Sequence, residues 1–350
     1  VTRERSGMWQ VGVATAWAWT CLAGVGLAQP TVVMRGLDNP RGLAFGPEGA
    51  LYVAEAGRGG DGPCGTTGTG ATACVGDSGA ISRLWKGEQS RMVSGLPSSA
   101  PVSGAEASGP QNIAFLGRGG SCVTFGLGGG PTYRAALGEA GEALGTLVRM
   151  SASGQWKVQA DLVAYEMANN PAGGIIDSNP FGALAVPAGC VVTDAGSNTL
   201  LGVAANGAIE TLAVFPSRPN ASTDAVPTGV VIGPDGAYYV SQLTGAPFTT
   251  GAANVYRVVP GEAPTVYRSG FKTITDLAFA SDGSLYVVEV ASGPGLSMPG
   301  RLLRVNPDDT RVPVLIGLDR PTSVAIGPDG AIYVTNHGSS PGIGEVLRVQ

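Results

Sequence analysis

The residues best suited to chemistry in this 350-residue chain recur at fixed places in a repeated phrase. One set reads Glu55, Phe125, Asp194, Gln242, Glu289 and Asn336, with His337 after the last. A second reads Arg41-Gly42, Gln111-Asn112, Phe181-Gly182, Thr228-Gly229, Thr275-Asp276 and Thr322-Ser323. Converging carboxylates offer hard oxygen ligands of the kind Ca²⁺ takes, which makes Glu55, Asp276 and Glu289 candidate metal ligands. Asn112, Asp194, Gln242 and Asn336 are candidates for fixing a polar ligand through hydrogen bonds. His337 is the single histidine and the candidate general base. A structural alternative stands beside all of these, because loop amides and water commonly satisfy polar groups at strand ends. No nucleophile elbow, HExxH pair or P-loop is present. The Gly126–Gly130 run lacks the following Lys and the strand-to-helix setting that a phosphate cradle needs.

The elements that must position these residues are legible in the phrase itself. Residues 40–55 return as 227–242, 274–289 and 321–336, with degraded copies from Pro110 and Pro180. Each copy opens on an apolar run such as Leu43-Ala44-Phe45 or Val230-Val231-Ile232, as a strand buried on both faces does. Gly-Pro-Asp/Glu-Gly follows at 46–49, 233–236 and 327–330. Pro presets φ and the last Gly accepts positive φ, so a tight turn is expected there. The chain then returns as Leu51-Tyr52-Val53 or Tyr238-Tyr239-Val240. Six strand-turn-strand copies imply an all-β fold, a closed six-bladed β-propeller. Both sets of chemical residues then fall on one rim of the central channel. Equivalent positions 42, 112, 182, 229, 276 and 323 are spaced by 70, 70, 47, 47 and 47 residues. A plain blade takes about 40–50 residues, so the first two carry insertions. Residues 161–170 in the second insertion could form one amphipathic helix, with Asp161 and Glu166 expected on its solvated face. The chain ends after a third strand, and residues 31–35 resemble a fourth strand. They are expected to complete the last blade and close the ring.

Composition supports this reading. Fifty-six Gly and 25 Pro, with 13% charged residues, suit short strands joined by tight turns. A net charge of −5 and no basic run argue against nucleic-acid binding. Arg3 and Arg5 precede an apolar run that ends in Gly26-Leu27-Ala28, the pattern of a secretory signal peptide over residues 1–28. A single domain, 29–350, is then expected to be secreted or periplasmic, with no membrane span after cleavage. Four cysteines remain beyond residue 28. Cys64 and Cys74 share one Gly/Thr-rich loop and are expected to pair. Cys122 and Cys190 fall in strands of neighbouring blades and are expected as buried thiols, since packed sheets lie about 10 Å apart.

Longer strings add a resemblance. Ala168-Asn169-Asn170-Pro171, residues 177–182 and 193–198, Leu243-Thr244-Gly245-Ala246-Pro247-Phe248 followed by residues 251–257, and residues 336–348 are similar to the ScyD/ScyE family. The resemblance spans about residues 31–350. It implies an exported, NHL-like propeller and supplies no catalytic residue set. Members commonly carry Glu where this chain has Gln242, so one rim carboxylate is neutral here. The function expected is a binding module for a small polar molecule, a glycan or an envelope protein, with no required cofactor. The alternative is a Ca²⁺-dependent lactonase-like hydrolase acting at the channel rim. Lactonases of the gluconolactonase type share the six-bladed plan, but of their acidic and amide inner-strand positions only Asn112 and Asp276 have counterparts here.

Overall fold

The computed structural model describes residues 29–217 and 223–350; the expected signal peptide, 1–28, lies outside the described residues. Six sheets of four or five strands follow one another round a ring. Blade 1 is built on Pro40–Phe45, Leu51–Glu55, Thr72–Trp85 and Glu88–Ala100. Blade 2 starts at Pro110–Phe115, blade 3 at Pro180–Val186, blade 4 at Pro227–Ile232 and blade 5 at Ile274–Phe279. Blade 6 contains Val324–Ile326, Ile332–Asn336 and Gly344–Val349, and its fourth strand is Thr31–Leu37 from the other end of the sequence. Thr31 pairs with Arg348 and Leu37 with Gly344, so the ring closes as the sequence predicts. Met34 and Leu37 are both 1% exposed, which anchors that closing strand in the core.

The repeated residues pack one blade on the next. The rings of Tyr52 and Phe115 lie 4.7 Å apart across blades 1 and 2. Tyr239 and Phe279 lie 4.9 Å apart across blades 4 and 5, and Tyr333 and Phe45 5.1 Å apart across blades 6 and 1. Each pair joins the Tyr of a second strand to the Phe that ends the next blade's first strand. These rings also explain the first Gly of the turn. A Cβ at Gly46, Gly233 or Gly327 would come within 2.7 Å of the Tyr52, Tyr239 or Tyr333 ring. Only a residue without a side chain leaves room for it.

Hydroxyls staple the inner strands together. Thr228 Oγ1 donates to the Ile274 carbonyl at 2.9 Å, Thr275 Oγ1 to Pro321 at 3.2 Å and Thr322 Oγ1 to Pro40 at 2.8 Å. Thr124 does the same to Phe181 at 2.8 Å, and Thr193 to Thr228.

Blade 1 carries a short extra strand, Cys64–Thr66, whose Cys64 is disulfide-bonded to Cys74 as expected. The expectation of free thiols at Cys122 and Cys190 is corrected, because these also form a disulfide, with Cα atoms 6.8 Å apart. Both sit on the second strands of their blades. Blades fan out from the axis, so strands near it approach more closely than the ~10 Å of stacked flat sheets.

The blade 2 insertion folds into two helices, α1 (Pro131–Ala136) and α2 (Leu162–Asn169). Asp161 caps α2 by accepting the Ala164 amide at 3.0 Å. It also receives Arg134 on both oxygens, at 2.6 and 2.8 Å, tying α1 to α2. At the other end Asn170 takes φ 38° and donates its amide to the Glu166 carbonyl. The placement of Glu166 on a solvated face is corrected too, since the residue is 2% exposed. It stands four residues after the buried Leu162 and therefore on the same face of the helix. Among the described residues no helix is long and apolar enough to cross a membrane.

Candidate functional site

The starts of first strands and the ends of second strands meet on one face of the ring, here called the loop face. The strand-end residues share a task there. Glu55 Oε2 accepts the Asp38 amide at 2.7 Å, and Asp194 Oδ1 accepts that of Asn179 at 2.7 Å. Glu289 Oε1 accepts Lys272 N at 2.9 Å, and Asn336 Oδ1 accepts Asp319 N at 2.8 Å. Each clasps the segment entering its own blade. Gln242 Oε1 instead accepts the amide of Asn254, at 3.1 Å.

Glu55 and Glu289 are also charge-paired. Arg91 bonds both oxygens of Glu55, at 3.1 and 2.7 Å, and reaches Asp38 at 2.9 Å. Arg301 Nε lies 2.6 Å from Glu289 Oε2. Asp276 and Asn112 instead line the channel, a cavity of about 370 Å³ with largely apolar walls. Asp276 accepts Ser323 Oγ at 2.5 Å, Leu277 N at 2.9 Å and Val324 N at 3.1 Å. Burial still raises its carboxyl to about 6, against those three donors. Among the described residues, no three His, Cys, Asp or Glu side chains are grouped so that they could hold a metal ion.

His337 stands on the loop face at φ 55° with Nδ1 2.8 Å from Asp319 Oδ2. Its side chain is 31% exposed and that of Asp319 is 55% exposed. An imidazole oriented by a carboxylate has the arrangement of a general base.

A further site escaped the sequence reading. On the same face, a cavity of about 620 Å³ opens between α2, the segment that follows it, and blades 3 and 4. Glu166, Asp177 and Asp224 line it, together with Asn198 and Phe215. The blade 1 extension reaches its edge, where the Gly68 amide donates to the Gly128 carbonyl at 2.9 Å. Glu166 is 2% exposed, and no described residue donates a hydrogen bond to its carboxyl. Burial first, then the charges of Asp194 and Asp177, raise that carboxyl to about 7. Asp177 is raised by burial and by Asp224, and its Oδ1 is buried without a partner. Asp194 lies behind the wall, fully buried. It accepts Ser178 Oγ at 2.6 Å and the amides of Asn179, Gly196 and Ser197 at 2.7, 3.1 and 3.2 Å. Burial raises it nonetheless. The Asp194–Ser197 turn needs Gly196, since a Cβ there would meet the Ser178 amide at 2.8 Å. The available signal lay in the strings 177–182 and 193–198, which supply Asp177, Gly196, Ser197 and Asn198 to this lining.

The opposite face holds another cavity, about 460 Å³, between the turns of blades 1 and 2. Its Glu48 accepts the Tyr52 hydroxyl at 2.5 Å, and Arg83 and Arg118 also line it.

No family model matches the chain, and no curated protein matches its sequence. Solved structures do match. A streptogramin B lyase aligns with TM-score 0.52 and 13% identity over 92% of this chain and 97% of its own. A protein provisionally classed as a gluconolactonase aligns with TM-score 0.54 and 11% identity, covering 92% of each chain. The calcium-binding protein regucalcin from Agrobacterium tumefaciens aligns with TM-score 0.53 and 14% identity, covering 92% of this chain and 95% of its own. At such identities the likeness shows the fold: this chain is a six-bladed β-propeller built on the plan those proteins share.

Proposed function

We propose that this protein is an exported binding module of the ScyD/ScyE type, taking a small polar molecule in the loop-face cavity beside α2. The observation that carries the reading is a cavity of about 620 Å³ walled in part by Asp177, whose Oδ1 is buried without a partner among the described residues. Buried polar groups are ordinarily hydrogen-bonded, and an unmatched one costs about 1–3 kcal/mol. A ligand offering a donor would remove that cost. The volume falls in the range of small-molecule sites, about 300–1,000 Å³, which favours a small molecule over a glycan chain or an envelope protein. Two of the strings that carry the ScyD/ScyE resemblance, 177–182 and 193–198, contribute to the cavity wall, and two disulfides suit an oxidising compartment. The test is a thermal-shift screen of small polar compounds. A stabilising hit that Ala172→Trp, which fills the cavity, abolishes is the expected result; hits insensitive to that change refute the site.

A second reading rests on the Asp319–His337 pair. In it the protein is a hydrolase whose His337 acts as base at the channel rim, near a channel lined by Asn112 and Asp276 but without a group of acidic residues that fits Ca²⁺ among the described residues. The likeness to a streptogramin B lyase and to a provisional gluconolactonase supports this by fold analogy alone. Turnover of lactones that is lost in His337→Ala with unchanged melting would establish it. Absence of turnover with and without Ca²⁺ would remove it.

A further inference from the structure

We propose that the cavity between the turns of blades 1 and 2, on the face opposite the loops, is a second binding site. Its ligand is a small organic anion, a carboxylate held by Arg83 and Arg118 with its apolar body against Phe115 and Met92.

The repeat marks this place by what it changes there. In four blades a third-strand arginine stands opposite the second-strand tyrosine: Arg83 opposite Tyr52, Arg257 opposite Tyr239, Arg304 opposite Tyr286 and Arg348 opposite Tyr333. In blades 4, 5 and 6 the Asp of the first turn pairs with that arginine. Asp235 meets Arg257 at 2.6 Å, and Asp282 and Asp329 meet Arg304 and Arg348 at 2.8 Å. Blade 1 has Glu48 at the turn, and its Oε1 takes the Tyr52 hydroxyl at 2.5 Å. Among the described residues no carboxylate pairs with Arg83, and its Nε is buried without a hydrogen-bond partner.

Blade 2 carries the change further. Its third-strand arginine, Arg149, stands opposite Cys122. Its turn, Gly117–Gly119, has Arg118 at the position that Glu48, Asp235, Asp282 and Asp329 hold in their blades. The acidic partner is thus replaced by a second cation. The cavity of about 460 Å³ brings the two departures together, since Arg83 and Arg118 both line it. A smaller cavity of about 210 Å³ shares Ser151 with it and adds Arg149 and Lys157. Glu48 is the one carboxylate in the two linings, against four cations, in a chain of net charge −5. The chain is described without interruption from residue 29 to 217, which includes every residue of both linings.

The class of ligand follows from these groups. A guanidinium is donor-only and stays charged, and its planar fork matches the two oxygens of a carboxylate. A buried donor left unmatched is costly, and an acceptor on the ligand removes that cost. A cation would be repelled by both arginines, and a neutral acceptor would leave their charge unanswered. Phe115 and Met92 give the cavity an apolar wall, and the Phe115 ring is fixed against Tyr52 at 4.7 Å. That wall receives hydrocarbon, which an organic carboxylate has and inorganic phosphate lacks.

The experiment is calorimetry on the purified protein with three probes: 3-phenylpropanoate, 3-phenylpropan-1-ol and inorganic phosphate. The carboxylate is expected to bind, and to bind roughly tenfold more weakly to Arg118→Gln and to Arg83→Gln. Arg118 is exposed, so its variant should melt with the parent and stays informative even where Arg83→Gln does not fold. Arg83→Lys keeps the charge without the fork and should recover part of the affinity. Ala172→Trp, which fills the loop-face cavity, should leave this binding unchanged. An alcohol that binds as tightly as the acid, or carboxylate binding that survives Arg118→Gln, would overturn the proposal. Carboxylate binding lost in Ala172→Trp would move the anion to the loop face and overturn it as well. Phosphate binding with the carboxylate silent would overturn the organic-anion assignment, and no heat from any probe would remove the site.

Discussion

Glu166→Gln examines the electrostatics of the loop-face cavity through stability alone. In the folded chain this carboxyl titrates at about 7, raised from 4.5 by burial and then by Asp194 and Asp177. Unfolded, it is an ordinary solvated glutamate with a pKa of about 4.3. The folded state therefore holds the proton more tightly, and stability falls as pH rises between the two values. Below about pH 4.5 the group is neutral in both states and costs nothing. Above about pH 7 it is ionised in both, and the penalty is complete. At about 1.4 kcal/mol per tenfold change, a displacement of this size amounts to about 3 kcal/mol. The cavity opens to solvent, and water screens the interaction, so we expect about 1–2 kcal/mol. Glutamine keeps the shape and never ionises. The variant should match the parent at pH 4 and exceed it by about 1–2 kcal/mol at pH 8, the gap opening between pH 4.5 and 7. Urea melts at pH 4, 6 and 8 read this directly. A variant less stable than the parent at pH 8, or offset equally at every pH, would refute the reasoning. The carboxylate would then be supported by a partner rather than exposed to like charge.

Two further outcomes follow from the ring. Deleting residues 29–36 removes most of the closing strand of blade 6 and exposes the Gly344–Val349 edge; with the buried Met34 lost, a loss of about 3–6 kcal/mol and a tendency to aggregate are expected. Unchanged melting of the truncated chain would show that the closure is not needed. Replacing Cys122 and Cys190 together by alanine opens a loop of sequence separation 68 and should cost about 4 kcal/mol, with neither Cys122 nor Cys190 titrating as a free thiol in the unreduced parent. Two reactive thiols in that parent would rule the bond out.

Much of the architecture was legible because its determinants are local. Continuous apolar runs, Gly-Pro-Asp/Glu-Gly turns and the tyrosine that follows each turn lie within about fifteen residues of one another in each copy. Strand and turn preferences act over that distance. The closing strand could be read because residues 31–35 resemble another fourth strand. Partners drawn from different blades were not legible. The types of Glu55, Asp194, Glu289 and Asn336 marked a polar rim, but their engagement with entering-loop amides depends on how each blade returns to the face. Cys122 meets Cys190 because two second strands converge near the axis. Glu166 showed its helical register in sequence, four residues after Leu162, but which face of α2 would be covered was settled by the blade beneath. Periodicity alone thus determined six blades, their turns and the closing strand, since these follow from backbone preferences of neighbouring residues. Tertiary structure decided which carboxylates are paired and which stand unmatched, because burial and charge are properties of groups brought together from tens of residues apart.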